Sequence, residues 1–484
     1  MKIYLKTVIA FALLFGSASC KKILDVNQNP NKPVSVTLGV LLPAVIEATS
    51  TNHYVVASST ALFSQQLAAY ASGPLNNDQN RNVRLSGAFT AIYSNTMNNV
   101  VYLIDQAKQQ QAPYYEAMGK VLLAVNLGLA TDIFGNIPYT EAFKGAANLS
   151  PKYDKQEVIY PIIQALLSEA ITLFGQPKAA LNPTTEDLIY GGNIPKWIKA
   201  ANALKARFAI HLTKKGAVAA ATAAMGYLPA GFAGNADDFQ LTYTDRNVNP
   251  WYKNIAIGTT TGNFILSHSR KLLDGMNGTI YPGLIDPRLP LIADKKSNAN
   301  YIGIINGSGG SPSGTTDITP NTFYSKPLSP IFMMTYAEQK FIEAEALFLI
   351  NGGSATSTGS TPAAYAAYLA GIMAHMTKLG VPSADITLYI NNPQVSVGAA
   401  ALKLEHIMRE KYIALYLNPE AWVDVRRYDY NPDIFKGIAL PLNQDPAMNG
   451  QFIRRSNYPL EEISKNPNVL AEERPLFEKL WWDQ

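Results

Sequence analysis

Cysteine is almost absent. Cys20 is the only one in 484 residues, so no disulfide can form within the chain and no cysteine-based metal cluster is available. Histidine is scarce too. His53, His211, His268, His375 and His406 include no i, i+4 pair that would set two imidazoles on one helical face, and Glu405-His406 lacks the second histidine of H-E-x-x-H. No zinc site, metal or cofactor is therefore expected, and His211 reads as a residue that complements a helix end or packs locally. Charged residues make up 16% of the chain, and the formal net charge of +4 falls to +2 once Lys2 and Lys6 are set aside. Such a balance points neither to nucleic acid nor to an acidic ligand. No internal apolar run reaches the ~18 residues of a spanning helix. Neither a G-x-S-x-G elbow nor a G-x-x-x-x-G-K-[ST] phosphate loop occurs. Acid pairs such as Glu461-Glu462 do not by themselves supply the separated carboxyls of glycoside hydrolysis.

What is present begins at the N-terminus. Lys2 and Lys6 precede a short apolar segment, Thr7 to Phe15, and small residues from Gly16 to Ser19 lead to Cys20 and then to Lys21-Lys22. This pattern predicts a signal peptide over 1–19, too short to span a membrane. Ending at cysteine, it suggests a bacterial lipoprotein whose Cys20 sulfur takes a diacylglycerol and whose new amine is acylated with a chain such as palmitate. Ser17 stands where Leu is usual, and an ordinary secretory signal with a chance cysteine is the alternative.

Helical periodicity dominates the rest, and it comes in pairs. Leu85 to Ile104 traces one long helix, followed after Ala112-Pro113 by Met118, Val121, Leu122, Val125, Leu129 and Ile133. Asp154, three residues before Glu157, predicts a capping box for a helix carrying Val158, Ile162, Ala165, Leu166 and Phe174, with a partner beginning at Pro195. A third pair covers Ala337 to Phe348 and Tyr365 to Leu379, and Leu404 to Leu415 starts a further helix. The expected fold class is all-α: tetratricopeptide-like helix pairs forming a curved scaffold with an irregular loop-rich lobe. One domain over 20–484 is expected, with the scaffold mainly in 40–215 and 330–430, the lobe mainly in 216–330 and a C-terminal segment over 431–484. Within the lobe, Asn306 to Asn321 reads as a flexible surface loop. Asp25-x-Asn27-x-Asn29 and Asp245-x-Asn247-x-Asn249 begin like calcium loops but continue with proline where glycine is needed, so both read as turns.

Five stretches in order carry a resemblance: YYEAMGKVLLAVNLGLATDIFGNIPYTEAF from Tyr114, MTYAEQKFIEAEALF from Met334, YLAGIMAHMTKLGV from Tyr368, EKYIALYLNPEAWVDVRRYDYNP from Glu410 and FIRRSNYPLEEISKNPN from Phe452. With them the chain resembles the SusD/RagB family of nutrient-binding outer-membrane lipoproteins, in its SusD-like branch. The resemblance implies tetratricopeptide-like helix pairs, no catalytic centre, and a lipid anchor at the outer membrane facing the cell surface. It also implies a lid that captures oligosaccharides or peptides over a SusC-like TonB-dependent barrel transporter. Lys21-Lys22 stand where acidic residues follow the cysteine in surface-exported members. Trp422, Arg426, Arg427, Arg454, Arg455 and Tyr458 read as residues that pair or pack near the helical core. Ligand contacts are expected from the loop-rich regions instead: Trp251 first, then Tyr252, Tyr70, Asn76, Asn77, Tyr281, Tyr301 and Tyr324, since aromatic rings and amides suit polar ligands with apolar faces. Two other readings stay open: a lipid-anchored glycoside hydrolase, and a helical-repeat scaffold for protein contacts without a small ligand.

Overall fold

The computed structural model describes residues 36–484, so Cys20, the apolar segment before it and Asp25-x-Asn27-x-Asn29 lie outside the described residues. The helices that carry the fold, labelled in chain order, are α1 (Leu38–Phe63), α2 (Ser72–Asp78), α3 (Ser86–Thr90), α4 (Asn98–Gln109), α5 (Pro113–Phe134), α6 (Gln156–Phe174), α7 (Ile194–Ile210), α8 (Ala217–Tyr227), α9 (Arg270–Met276), α10 (Tyr336–Ile350), α11 (Pro362–Leu379), α12 (Leu404–Ala414) and α13 (Glu420–Arg427). Strand among the described residues is confined to two antiparallel pairs, β1 (Leu67–Ala69) with β3 (Leu266–His268) and β2 (Phe239–Leu241) with β4 (Ile331–Met334). The protein is all-α in class, as expected.

From α4 to α8 each helix packs on the next, α8 packs on α10, and α10 packs on α11 and α12. α5 is the centre of this series. Its length and mean hydropathy of 1.4 would let it cross a membrane, as would those of α6, which corrects the expectation that no internal segment is long and apolar enough. The apolar window of α5 is nevertheless wholly buried by its neighbours, which marks it as a core helix. Close approach explains its glycines. A Cβ on Gly119 would sit 2.7 Å from Ile104 Cγ1, and one on Gly128 would collide with the Phe208 ring.

Residues 86–109 form the single long helix that periodicity predicts, but Ala91–Met97 between α3 and α4 is π-helical. The wider turn rotates the following face. It turns Thr96 inward, where its Oγ1 donates to Ala91 O (2.9 Å) and accepts from Asn52 Nδ2 of α1 (2.9 Å). Asn52 also donates to Asn126 Oδ1 of α5 (2.7 Å), so a buried amide ladder fixes three helices in register.

Capping departs from expectation once. α6 begins at Gln156 with no side-chain cap, and the Asp154 carboxylate instead accepts from Tyr139 N (2.9 Å), Thr140 N (2.8 Å) and Thr140 Oγ1 (2.7 Å), closing the turn that follows α5. The expected capping box is replaced because these nearer orphan amides compete for the same oxygens. Asn193, Thr335 and Thr361 do cap α7, α10 and α11. The scaffold also runs past residue 215, since α8 packs on α7 and α10, so the irregular region starts after Tyr227.

Candidate functional site

In β1 and β3, Leu67 lies opposite His268 and Ala69 opposite Leu266, and all six strand residues are buried. Pairing continues one step outward, where Tyr70 N donates to Ile265 O (2.9 Å). That step stacks the half-buried rings of Tyr70 and Phe264, with centroids 4.8 Å apart. After β3, Ser269 Oγ accepts from Lys271 N (3.3 Å) and starts α9. Residues 302–304 run beside this junction, with Ile304 N on His268 O (3.0 Å) and Arg270 N on Ile304 O (2.8 Å). Gly303 permits the approach, because a Cβ there would lie 2.5 Å from Arg270 Cα.

A groove of about 470 Å³ opens between α9 and residues 279–303, lined by Arg270, Asp274, Asn277, Thr279, Lys295 and Tyr301 among others. Ile285, 70% exposed, gives it an apolar edge. Its volume is in the range of small-molecule sites. A second cavity of about 270 Å³ shares Arg270 and Asp274 and continues along Gln65, Ile305 and Ala439. Lys271 lines this second cavity and also a small apolar pocket walled by Tyr281, Tyr412 and Phe435. Lys295 Nζ stands 5.5 Å from the Tyr301 ring centroid, and Lys296 Nζ stands 4.9 Å from that of Phe264. Tyr301 and the Tyr70–Phe264 pair therefore flank one turn, Lys295-Lys296. Asp274 is the one carboxylate lining the groove, and burial pushes its pKa up against the opposing effects of Asn277 and Arg270. The arrangement offers an aromatic face, amides, hydroxyls and cations, which suits binding by stacking and hydrogen bonds.

The base of this region is buried and hydrogen-bonded throughout. Asn306 is buried; its Nδ2 donates to Asp78 Oδ1 (2.6 Å) and Leu67 O (2.8 Å), and its Oδ1 accepts from Ser269 Oγ (2.6 Å). Asp78 Oδ2 accepts from Ala69 N (3.0 Å) and Gly307 N (2.8 Å). Burial raises the Asp78 pKa while these bonds act to lower it. Thr315 to Thr319 are also buried, and Thr316 Oγ1 accepts from Ile302 N (2.9 Å). The run from Asn306 to Asn321 is thus anchored at both ends, which corrects its reading as a flexible loop; the exposed part is Gly309 to Ser313.

Of the expected ligand contacts, Tyr301 lines the groove and Tyr70 lies beside it. Asn76 is exposed and Asn77 half-buried on α2, whose Leu75 lies close to the exposed Gly309 turn. Trp251, the first choice, is corrected. It is 0% exposed, set edge-on to Tyr54 of α1 (4.8 Å) and held by a bond from its amide to Asn249 Oδ1 (2.7 Å), so it presents no face to a ligand. Asn249 therefore serves a local turn, as its segment predicts. Tyr252 is half-buried beside it, its amide on the same oxygen (3.3 Å). Tyr281 and Tyr324 are also buried: Tyr281 OH donates to Glu405 Oε1 (2.6 Å), and Tyr324 OH bonds His375 Nε2 (2.9 Å). Both hydroxyls are tied to scaffold helices, although the Tyr281 ring still walls the small apolar pocket. Arg270, Asp274, Asn277, Thr279 and Lys295 also line the groove and are not among the expected contacts. Their signal was the i, i+4 spacing of Arg270 and Asp274 followed by an Asn-Gly turn.

Away from the groove, Asp132, His211 and Glu420 bring their ligating atoms within 4.8 Å of one another, a spacing that could hold a cation. The oxygens are already engaged. His211 Nε2 is 2.8 Å from Glu420 Oε2, Arg207 Nη1 is 3.7 Å from Glu420 Oε1, and Asp132 Oδ1 accepts from Tyr160 OH (2.6 Å) and Trp482 Nε1 (3.0 Å). His211 therefore does more than end a helix: it joins α5, α7 and α13. The C-terminal motif residues behave as expected of core residues. Arg426 stacks on Trp422 (3.6 Å) and donates to Asp132 O (2.6 Å) and Arg454 O (2.8 Å). Arg455 donates to Phe134 O (2.7 Å) and Tyr458 to Asn136 O (2.7 Å).

The sequence model of the SusD-like family described as "Starch-binding associating with outer membrane" matches residues 30–459. No curated protein matches the chain. Among solved structures, a SusD/RagB family protein from Bacteroides thetaiotaomicron is 22% identical with a TM-score of 0.75, covering 93% of this chain and 99% of its own. A SusD homolog from Bacteroides uniformis is 20% identical with a TM-score of 0.75, covering 92% and 99%. A chitin-binding SusD homolog from Flavobacterium johnsoniae is 21% identical with a TM-score of 0.72, covering 92% and 98%. At these identities the likeness establishes a common fold.

Proposed function

The chain belongs to the SusD-like family of starch-binding, outer-membrane-associated proteins, and from that premise we propose that it is a nutrient-binding lipoprotein rather than an enzyme. Residues 20–484 act as one domain tethered through acylated Cys20 and facing outward. The protein captures oligosaccharides, or in the second instance peptides, and delivers them to a SusC-like TonB-dependent barrel. The observation that carries the reading is the groove beside α9, where the half-buried Tyr301 meets Arg270, Asn277 and Thr279 in about 470 Å³. A pyranose ring has apolar faces and a polar edge, and this lining matches both. The groove supplies one carboxylate, Asp274, whereas glycoside hydrolysis uses two. The chitin-binding relative adds weight to a glycan ligand.

Isothermal titration against a panel of glycans and peptides tests it. Tyr301→Ala is expected to weaken glycan binding by about 1 to 1.5 kcal/mol, close to tenfold. Unchanged affinity would move the site elsewhere, and no binding to any glycan or peptide would overturn the reading. Docking is tested by purification from native membranes in mild detergent, where recovery without a large barrel protein would count against it.

A further inference from the structure

The groove, the second cavity and the small apolar pocket adjoin one another, because Arg270 and Asp274 line the first two and Lys271 the last two. Five cations line them: Arg270, Lys271, Lys295, Arg409 and Lys436. Among the described residues the first three have no carboxylate oxygen within 4.0 Å, whereas the other two and the adjacent Lys296 do. Arg409 sits on Glu410 (3.0 Å), Lys436 is 3.7 Å from Glu405, and Lys296 pairs with Asp317. Lys295 Nζ finds the Ala299 carbonyl (3.0 Å) and the Tyr301 ring (5.5 Å to the centroid). Lys271 Nζ finds only the Tyr412 ring, 3.0 Å to the centroid, with Phe435 at 5.9 Å. Asp274 is the one acid in the lining of the groove.

A half-buried ammonium without an anion is a desolvation cost, and burial accordingly draws the Lys271 pKa well below its ordinary value. A neutral sugar hydroxyl offsets little of that cost. A carboxylate or a sulfate ester offsets it through charge-assisted hydrogen bonds, which are about twice as strong as neutral ones. Unpaired cations lining a concave surface also focus a positive field toward an incoming anion. The small net charge of the whole chain hides this local excess.

We propose that the groove selects acidic oligosaccharides, those bearing uronate carboxylates or sulfate esters, with Arg270, Lys271 and Lys295 as the anion contacts. The inference rests on the glycan-binding reading above and names its substrate class.

Titration with tetragalacturonate, a sulfated galactotetraose and neutral galactotetraose, at low and at physiological salt, tests it. Either acidic ligand should bind at least roughly tenfold tighter than the neutral one, with the gap narrowing as salt screens it. Response to the first alone identifies carboxylate as the anion, and to the second alone, sulfate ester. Arg270→Gln and Lys295→Gln, at positions outside the core, should each cost the acidic ligand roughly tenfold more affinity than they cost the neutral one. Lys271→Met, checked for folding by circular dichroism, should do the same. Equal affinity for acidic and neutral tetrasaccharides would overturn the acidic preference and leave glycan binding standing. Acidic binding indifferent to all three substitutions would overturn the assigned contacts. Binding of tetraglutamate with no tetrasaccharide bound would overturn the acidic-glycan preference and the glycan ligand together, leaving peptide capture.

Discussion

Arg427→Met should be among the most damaging single substitutions in this chain. The guanidinium is fully buried and bidentate to Glu345 of α10 (2.6 and 3.0 Å), and it also bonds Asp424 Oδ1 (2.5 Å), Thr213 Oγ1 (3.0 Å) and Ile210 O (3.2 Å). Removing it leaves two buried carboxylates facing one cation, Lys411 Nζ, which lies 3.3 Å from Glu345 and 3.0 Å from Asp424. Breaking a buried pair on one side costs about 3–5 kcal/mol, and the surviving lysine and the Tyr428 hydroxyl place this case near about 3. Against a typical domain stability of about 5–15 kcal/mol, that loss is readily measured. Urea unfolding followed by circular dichroism should give a lower midpoint at unchanged slope. Arg427→Met combined with Glu345→Met should be milder than the single change, because less charge is left uncompensated. Acid adds an independent check. Arg427 is the chief partner that holds the Glu345 pKa below its ordinary 4.5, so its contribution is full above that value and is lost as the pH falls below it. The Arg427→Met protein should show a shallower acid limb. A single-variant loss under about 1 kcal/mol, or additive losses in the double variant, would refute the reasoning.

Other expectations follow from single contacts. Gly128→Ala should cost about 1–3 kcal/mol in urea unfolding by driving a Cβ into Phe208, and Phe208→Leu in the same chain should recover part of it. His53 is buried, and its pKa is lowered from 6.5 to about 4, so it folds neutral while the unfolded chain takes up a proton below 6.5. Its stability contribution is full above pH 6.5 and falls as the pH drops toward 4, by about 2 kcal/mol between pH 7 and 5. Comparing His53→Leu with the parent at both pH values should reveal that difference, and equal slopes would exclude it. Cys20→Ala should leave the thermal midpoint unchanged yet release the protein from outer membranes, as scored by fractionation.

Legibility from sequence tracked how local each interaction is. The pairs from α4 to α7 and from α10 to α12 were visible because an apolar stripe at i, i+3, i+4 needs only its own helix to be recognised. Asp154 misleads because its choice between two sets of amides depends on where the chain returns after α5. Trp251 misleads for the same reason at longer range, since Tyr54, which covers it, lies 197 residues earlier on α1. Arg427 was foreseen as a core pairing residue, but its partner Glu345 is one glutamate among several on an amphipathic helix. The groove was half legible: aromatic residues drew notice to Tyr301 and Tyr70, whereas Arg270 and Lys271 gain meaning only from lacking the acids that satisfy their neighbours.

The Asn306 node ties α1, β1, α2 and the start of α9 together beneath the rim, while Gly309 to Ser313 above it stay in solvent. Doubling the length of a flexible loop costs only about 0.6 kcal/mol in closure entropy. Insertions and deletions in that arch should therefore be nearly silent in stability while changing the exposed surface beside α2. Such a chain can diversify its recognition surface by drift in one segment, its folding insulated from the change, and a library randomised between Ser308 and Gly314 is the natural place to evolve it toward a new ligand.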